Sequence, residues 1–162
     1  IPLRLVGSEM CIRDRLEIDT LGLPVMFFPL DRLWDEQAGY RWNHRTGALL
    51  VDWNDDWTVV AKQGADPFIH AASTGQVLMA PGDEGWEDRL DEPRPVFRDL
   101  TEMTRALAAV GTAWARFDDP FTADWHLTEE VTAAVVAGLE GVLGAHDRAV
   151  DLARALGYLR AV

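Results

Sequence analysis

Three short runs rich in β-branched and aromatic residues, "WTVVA" (Trp57 to Ala61), "PFIHA" (Pro67 to Ala71) and "QVLMA" (Gln76 to Ala80), follow each other almost without a break. Five residues separate the first two and four separate the next pair. Parallel neighbours need a crossover of a dozen or more residues, so links this short leave antiparallel pairing through tight turns. Gly64 and Gly75 are placed to make those turns. Upstream, "VMFF" (Val25 to Phe28) reads as a short buried strand. "GYRWNHRTGALLVDW" reads as a hairpin-like pair around Arg45-Thr46-Gly47.

The pattern changes near residue 98. Leu100, Met103, Leu107, Val110 and Trp114 recur at helical spacing after Asp99, which with Glu102 resembles a capping box. Thr128 is placed to cap a second helix bearing Val131, Val135, Leu139 and Val142 and ending near Gly144. Ala149, Leu152, Leu156 and Leu159 mark a third helix. Pro120, in the connecting "RFDDPFTADWHL", prevents the first two from merging. The charged, turn-rich "PGDEGWEDRLDEPRP" (Pro81 to Pro95) reads as an exposed loop with a short extended piece around Trp86. The expected class is α+β: an antiparallel sheet of short strands covered by helices, then C-terminal helices over about residues 98–162.

At 162 residues the chain suits one domain, and 48% apolar content suits a real core. The longest apolar candidate, Leu21 to Leu30, is broken by Pro24 and Pro29 and falls well short of the roughly 20 residues of a membrane helix. "LVGSEMCIRDR" (Leu5 to Arg15) matches one reading frame of a transposase-type sequencing adapter, so residues 1–15 are read as foreign and residues 16–162 as the domain. Residues 1–15 carry Arg4, Arg13 and Arg15 against Glu9 and Asp14, so without them the formal charge of −12 becomes −13. The single cysteine, Cys11, lies in the same segment; the rest has no thiol for a disulfide or a nucleophile, which is compatible with the cytoplasm. Such acidity repels nucleic-acid phosphates; it either keeps the protein dispersed or favours a basic protein partner.

"GYRWNHRTG" (Gly39 to Gly47), "DWNDDWTVVAKQGADPFIHAASTGQVLMA" (Asp52 to Ala80) and "PVFRDLTEMTRAL" (Pro95 to Leu107) stand in an order that resembles the SUKH superfamily. Within it, they are most similar to the branch named after a fungal regulator of cell-wall assembly. Trp57, Gly64, Asp66, Pro67 and Gly75 fill the places of its tryptophan-led strand, its Asp-Pro turn and its Thr-Gly-type turn. The resemblance covers roughly Val25 to Val110. The family's opening helical segment with a Leu-Pro motif and an Asn-Gly-Gly-like turn is not intact, and "PGDEGW" stands where members often carry a His-Gly element. The resemblance implies a non-enzymatic, cofactor-free, monomeric binding domain. Bacterial members are implicated as immunity proteins that neutralise polymorphic toxins, many of them nucleases; fungal members act as regulatory interaction proteins.

Asp52, Asp55, Asp56, Asp66 and His70 are the candidates for metal chemistry, since clustered carboxylates supply oxygen ligands. They lack the alternating aspartates, glycine and distal glutamate of a calcium loop. Asp66, before Pro67, is more simply a turn residue, and His70 shares a strand face with Phe68. Ser73 sits in a Ser-Thr-Gly turn without a nucleophile elbow, and there is no phosphate-binding or dinucleotide fingerprint. Trp57 and Trp114 fit core positions. Trp53 and Trp86 lie beside Asp52, Asp55, Asp83 and Glu84, and aromatic anchors ringed by acids suit a basic protein surface; a half-buried tryptophan closing each loop is the alternative. The expected partner surface is therefore Asp52, Trp53, Asp55, Asp56, Asp83, Glu84 and Trp86, with no catalytic, cofactor or metal residue. An immunity protein acting by occlusion is the first functional expectation, a regulatory module with another intracellular partner the second, and a metal-dependent enzyme on Asp52, Asp55 and Asp56 the third.

Overall fold

Gln63 pairs with Asp66 across Gly64-Ala65, so strands β3 (Trp57–Gln63) and β4 (Asp66–Ala71) are joined by a two-residue turn. Gly64 has a φ of +60°, the sign that a II′ turn demands at its first central residue and that a side chain would resist. The computed structural model describes residues 16–21, 23–51, 53–79 and 93–159. Asp66, expected in the turn, is instead the first residue of β4, one position ahead of Pro67, the expected start of that strand. The closing pair of such a hairpin exchanges both hydrogen bonds, so at the next pair, Lys62 with Pro67, neither N–H points at the partner strand, and proline's missing donor is tolerated.

The remaining strands add in chain order. β1 (Glu17–Ile18), β2 (Val25–Phe27), β3, β4, β5 (Val77–Met79) and β6 (Arg94–Phe97) form one six-stranded sheet in the order β1-β2-β3-β4-β5-β6. The pairs from β2 to β6 are all antiparallel. The turn before β5 closes as expected at Gly75, whose φ is +74° and whose N–H donates to Ala71 O at 2.8 Å. β6 was not expected: Arg94 and Pro95, placed by sequence in the loop, pair with Met79 and Leu78. Residues 39–51 are not a pair of strands but a chain of turns with isolated bridges, Trp42 with Leu49 being the antiparallel one. The extended piece expected around Trp86 lies outside the described residues.

On one sheet face Val59, Ile69 and Leu78 stand side by side and join Phe28, Trp53 and Ala71 in a core cluster. At Val60 the β3 register slips, and Phe28 N–H takes the Val60 carbonyl at 2.9 Å. β2 pairs with β3 only up to Phe27 opposite Ala61, so the Val59 peptide groups need another partner. Gln37 supplies it: its Oε1 accepts from Val59 N–H and its Nε2 donates to Val59 O, both at 2.9 Å, and Nε2 also donates to Leu33 O at 2.9 Å. The side-chain amide acts as the peptide group of a missing strand residue.

The chain divides into two compact units, Ile18–Pro24 with Thr101–Val162 in one and Val25–Leu100 in the other. The helical unit contains α1 (Leu100–Trp114, less its first residue), α2 (Glu129–Leu143) and α3 (His146–Ala155). Met103, Leu107 and Val110 of the expected stripe are fully buried, together with Ala106, while Leu100 is exposed. Thr128 caps α2 through its hydroxyl, which accepts from Val131 N–H at 3.4 Å, and α2 ends at Gly144. Arg148 of α3 grips Glu102 of α1 with both terminal nitrogens, one bond at 2.8 Å. A methyl group on Gly111 would lie 2.6 Å from the Ile18 side chain, so only glycine lets the 18–19 segment approach α1 this closely. Among the described residues no helix is long and apolar enough to cross a membrane. The fold class is α+β, as the sequence pattern predicts.

Two stability predictions follow from buried polar groups. Replacing Gln37 by leucine keeps much of the volume but leaves both Val59 backbone groups buried and unpaired; chemical denaturation should show a loss of about 2–4 kcal/mol. Tyr158 is buried, and its oxygen accepts from Leu21 N–H at 2.7 Å. Burial pushes its phenol up to about 12, against the smaller opposing effect of the Leu21 and Thr20 hydrogen bonds. Because the folded pKa lies above the ordinary 10.0, the contribution is complete below pH 10.0 and is lost as the pH rises through about 12. Between those pH values the wild type should lose on the order of 2–3 kcal/mol more than Tyr158→Phe in parallel denaturant titrations.

Candidate protein-binding surface

Trp53 is 8% exposed, and its ring is a core group rather than a surface anchor. Tyr40 meets it at 5.9 Å between centroids, Trp57 meets it edge-on at 5.7 Å, and its Nε1 donates to Trp57 O at 3.1 Å. With its ring buried against two aromatic neighbours and its N–H committed, the expectation that Trp53 reaches a partner is corrected in favour of loop closure. Tyr40 is partly buried, and its phenol is raised above its ordinary value by burial and then by the charges of Asp66 and Glu36.

The two described aspartates of the cluster have different jobs. Asp56 is tied to the 71–75 turn: its carboxylate accepts from Ser73 N–H at 2.8 Å and Ser73 Oγ at 2.6 Å, and its carbonyl accepts from Ala72 N–H at 3.0 Å. Both carboxylate oxygens are occupied inside the fold, which gives Asp56 and Ser73 a structural role. Asp55 is 93% exposed at its side chain and accepts from Arg41 Nη2 at 3.1 Å. Asp66 opens β4 and His70 is a partly buried strand residue between Thr58 and Val77, so the four described candidates, Asp55, Asp56, Asp66 and His70, do not converge as one constellation. Among the described residues no group of three or more His, Cys, Asp or Glu is arranged to hold a metal ion. Asp52, Asp83, Glu84 and Trp86 lie outside the described residues.

What the sequence reading missed is apolar. Trp34 is 60% exposed, Leu49 65% and Val51 97%, with Leu30 and Leu50 also in water. They belong to one loop system: Trp42 Nε1 donates to Trp34 O at 3.3 Å, Trp42 bridges Leu49, and Leu50 N–H donates to Arg41 O at 2.9 Å. Arg41 lies over the Trp34 ring at 5.8 Å and donates from Nη1 to Asp55 O at 3.2 Å. One guanidinium thus fixes both the exposed tryptophan and the acidic corner. Asp31 and Asp35 are exposed beside Leu30 and Trp34. Next to them is a shallow cavity of about 290 Å³ walled by Asp35, Glu36, Tyr40 and Lys62 over Phe28. The arrangement offers exposed apolar side chains flanked by charges of both signs, Asp31 and Asp35 on one hand and Arg32 and Arg45 on the other. "ALLV" (Ala48 to Val51) was the available signal, but four apolar residues in a row read more simply as a buried strand.

Comparison with the models of known protein families, with curated proteins and with solved structures found no match.

The division of labour between Asp55 and Asp56 is measurable. Asp56→Ala should cost about 1.5–3 kcal/mol, because a charged acceptor of two hydrogen bonds is removed. Asp55→Ala should cost no more than about 0.5 kcal/mol, since an ion pair this exposed is screened. Urea denaturation of the two variants checks both values.

Proposed function

We propose that the chain is a protein-binding domain of the SUKH type that disables a basic partner by covering it, with no bond-making chemistry of its own. The observation that carries this reading is the exposed apolar surface of Trp34, Leu49 and Val51 on an ordered loop. Side chains of this size contribute nothing to a core while they stand in water, and adjoining exposed apolar groups form the natural centre of a protein interface. The net charge of −12 favours approach of a basic surface and speeds its encounter.

Further support comes from where the motif residues lie. Trp57 opens β3, Gly64 makes the tight turn, Asp66 and Pro67 open β4, and Gly75 closes the turn to β5. The places of Trp57, Gly64 and Gly75 are those that the resemblance to the SUKH superfamily implies, whereas the residues of its Asp-Pro turn open a strand here. In a bacterial setting the partner is a toxin domain such as a nuclease, and the protein acts in the cytoplasm as a monomer that blocks its active surface.

Coexpression with the toxin encoded directly upstream is the test. The wild-type chain should restore growth and co-purify with the toxin. Leu49→Ser combined with Val51→Asp should weaken the complex by about 100-fold or more, without lowering the melting temperature. Failure of the wild type both to rescue and to bind would remove the reading.

A further inference from the structure

The link between α1 and α2 folds into a small hairpin. Thr128 N–H donates to Pro120 O at 3.0 Å, Phe121 bridges Leu127, Thr122 N–H donates to His126 O at 2.7 Å, and Trp125 N–H donates to Thr122 O at 2.9 Å. Ala123, Asp124 and Trp125 are therefore a three-residue hairpin loop. The last residue of such a loop takes the left-handed conformation, which glycine or asparagine ordinarily supplies. Trp125 holds it here, at a φ of 59°, the one non-glycine residue with positive φ among those described. The residue is also 82% exposed.

A bulky residue is strained at this φ, and a ring left in water contributes little burial in return. The ring is nevertheless well rooted. Trp125 packs on Phe121 at 6.0 Å, Phe121 on Trp114 at 6.1 Å, and Trp114 on the buried Tyr158 at 6.2 Å. The aromatic ladder holds the outermost indole away from the core with much of its surface open.

Charge indicates what the open ring receives. From Phe117 to Glu130 there are five carboxylates, Asp118, Asp119, Asp124, Glu129 and Glu130, and no lysine or arginine. The Pro120–Thr128 tie brings the two legs together, so these groups share one hairpin. Glu129 and Glu130 also suit the first turn of α2, and Asp119 accepts from Phe121 N–H at 3.4 Å. Asp118 and Asp124 have neither role and no ionic partner among the described residues. A guanidinium satisfies both parts: it stacks flat on an indole face and presents a fork of donors to carboxylates.

We propose that Trp125 and the carboxylates of the 118–130 hairpin form a docking tip for an arginine-bearing basic segment of a partner protein, with the guanidinium stacked on the Trp125 ring. This rests on the helical unit alone and is independent of the role given to the 34–51 loop.

The probe is a blocked hexa-arginine peptide, titrated into the full chain while the Trp125 indole N–H resonance is followed. A saturable shift of that resonance is expected, with hexa-lysine binding several-fold more weakly and hexa-glutamate leaving it unmoved. Trp125→Gly should reduce the affinity about tenfold while its melting temperature stays level or rises, because glycine relieves the strained φ. Trp125→Asn, also at home in this conformation, should do the same. Asp118→Asn with Asp124→Asn should weaken binding and flatten its salt dependence. Arginine-peptide binding that leaves the Trp125 resonance unmoved, or that survives Trp125→Gly or Trp125→Asn, would overturn the proposal, as would the absence of binding or equal binding of hexa-lysine.

Discussion

Gln37 holds the sheet unit together at a place where regular pairing runs out. β2 pairs with β3 only as far as Ala61, and the register slip at Val60 leaves both Val59 backbone groups facing a gap. Unpaired, a buried N–H and C=O would be costly; paired with a side-chain amide, they become an anchor. That anchor fixes the short 3-10 turn Asp35–Gln37, and therefore where the next residues, Ala38 to Trp42, leave the sheet. Arg41 then reaches Asp55 and Trp57, and Tyr40 closes over Trp53. The exposed surface of Trp34, Leu49 and Val51 depends on this succession, because no regular strand pairing supports the loop that carries it.

The carboxylates of this acidic chain divide into two populations. Asp56, Glu102 and Glu140 are spent within the fold, on the Ser73 turn, on Arg148 and on His146. The bond to Glu140 raises the His146 pKa above its ordinary value, although the pair is at the surface. Asp118 and Asp124 remain in water, and Asp55, though exposed, is paired with Arg41. In both units surplus apolar surface stands where the chain is irregular, at the loop of the sheet unit and at the hairpin of the helical unit. Regular elements bury their apolar faces, while loops are free to present theirs.

Patterns with a local cause were legible. The apolar stripes of α1 and α2, the Thr128 cap, the end at Gly144 and the hairpins at Gly64 and Gly75 are written within a few residues of one another. β6 was not legible, because Arg94-Pro95-Val96-Phe97 becomes a strand by pairing with β5 rather than by its own preference. Trp53 sits among acids in the sequence, yet its burial is decided by Tyr40, 13 residues away, and by Trp57. Trp125 was hidden for a related reason. "RFDDPFTADWHL" reads as a linker, and only the backbone hydrogen bonds place its tryptophan where glycine belongs.

The sequence by itself determined the α+β class, the antiparallel order of the central strands, the three helices and the net negative charge. These depend on periodicity, turn chemistry and charge, which act over short distances or over the chain as a whole. Only the tertiary structure decided which aromatic rings face water, which aspartates are committed to the fold, and that a side-chain amide replaces a strand at Val59. Those outcomes depend on contacts between residues far apart in the chain, and local preference carries no record of such contacts.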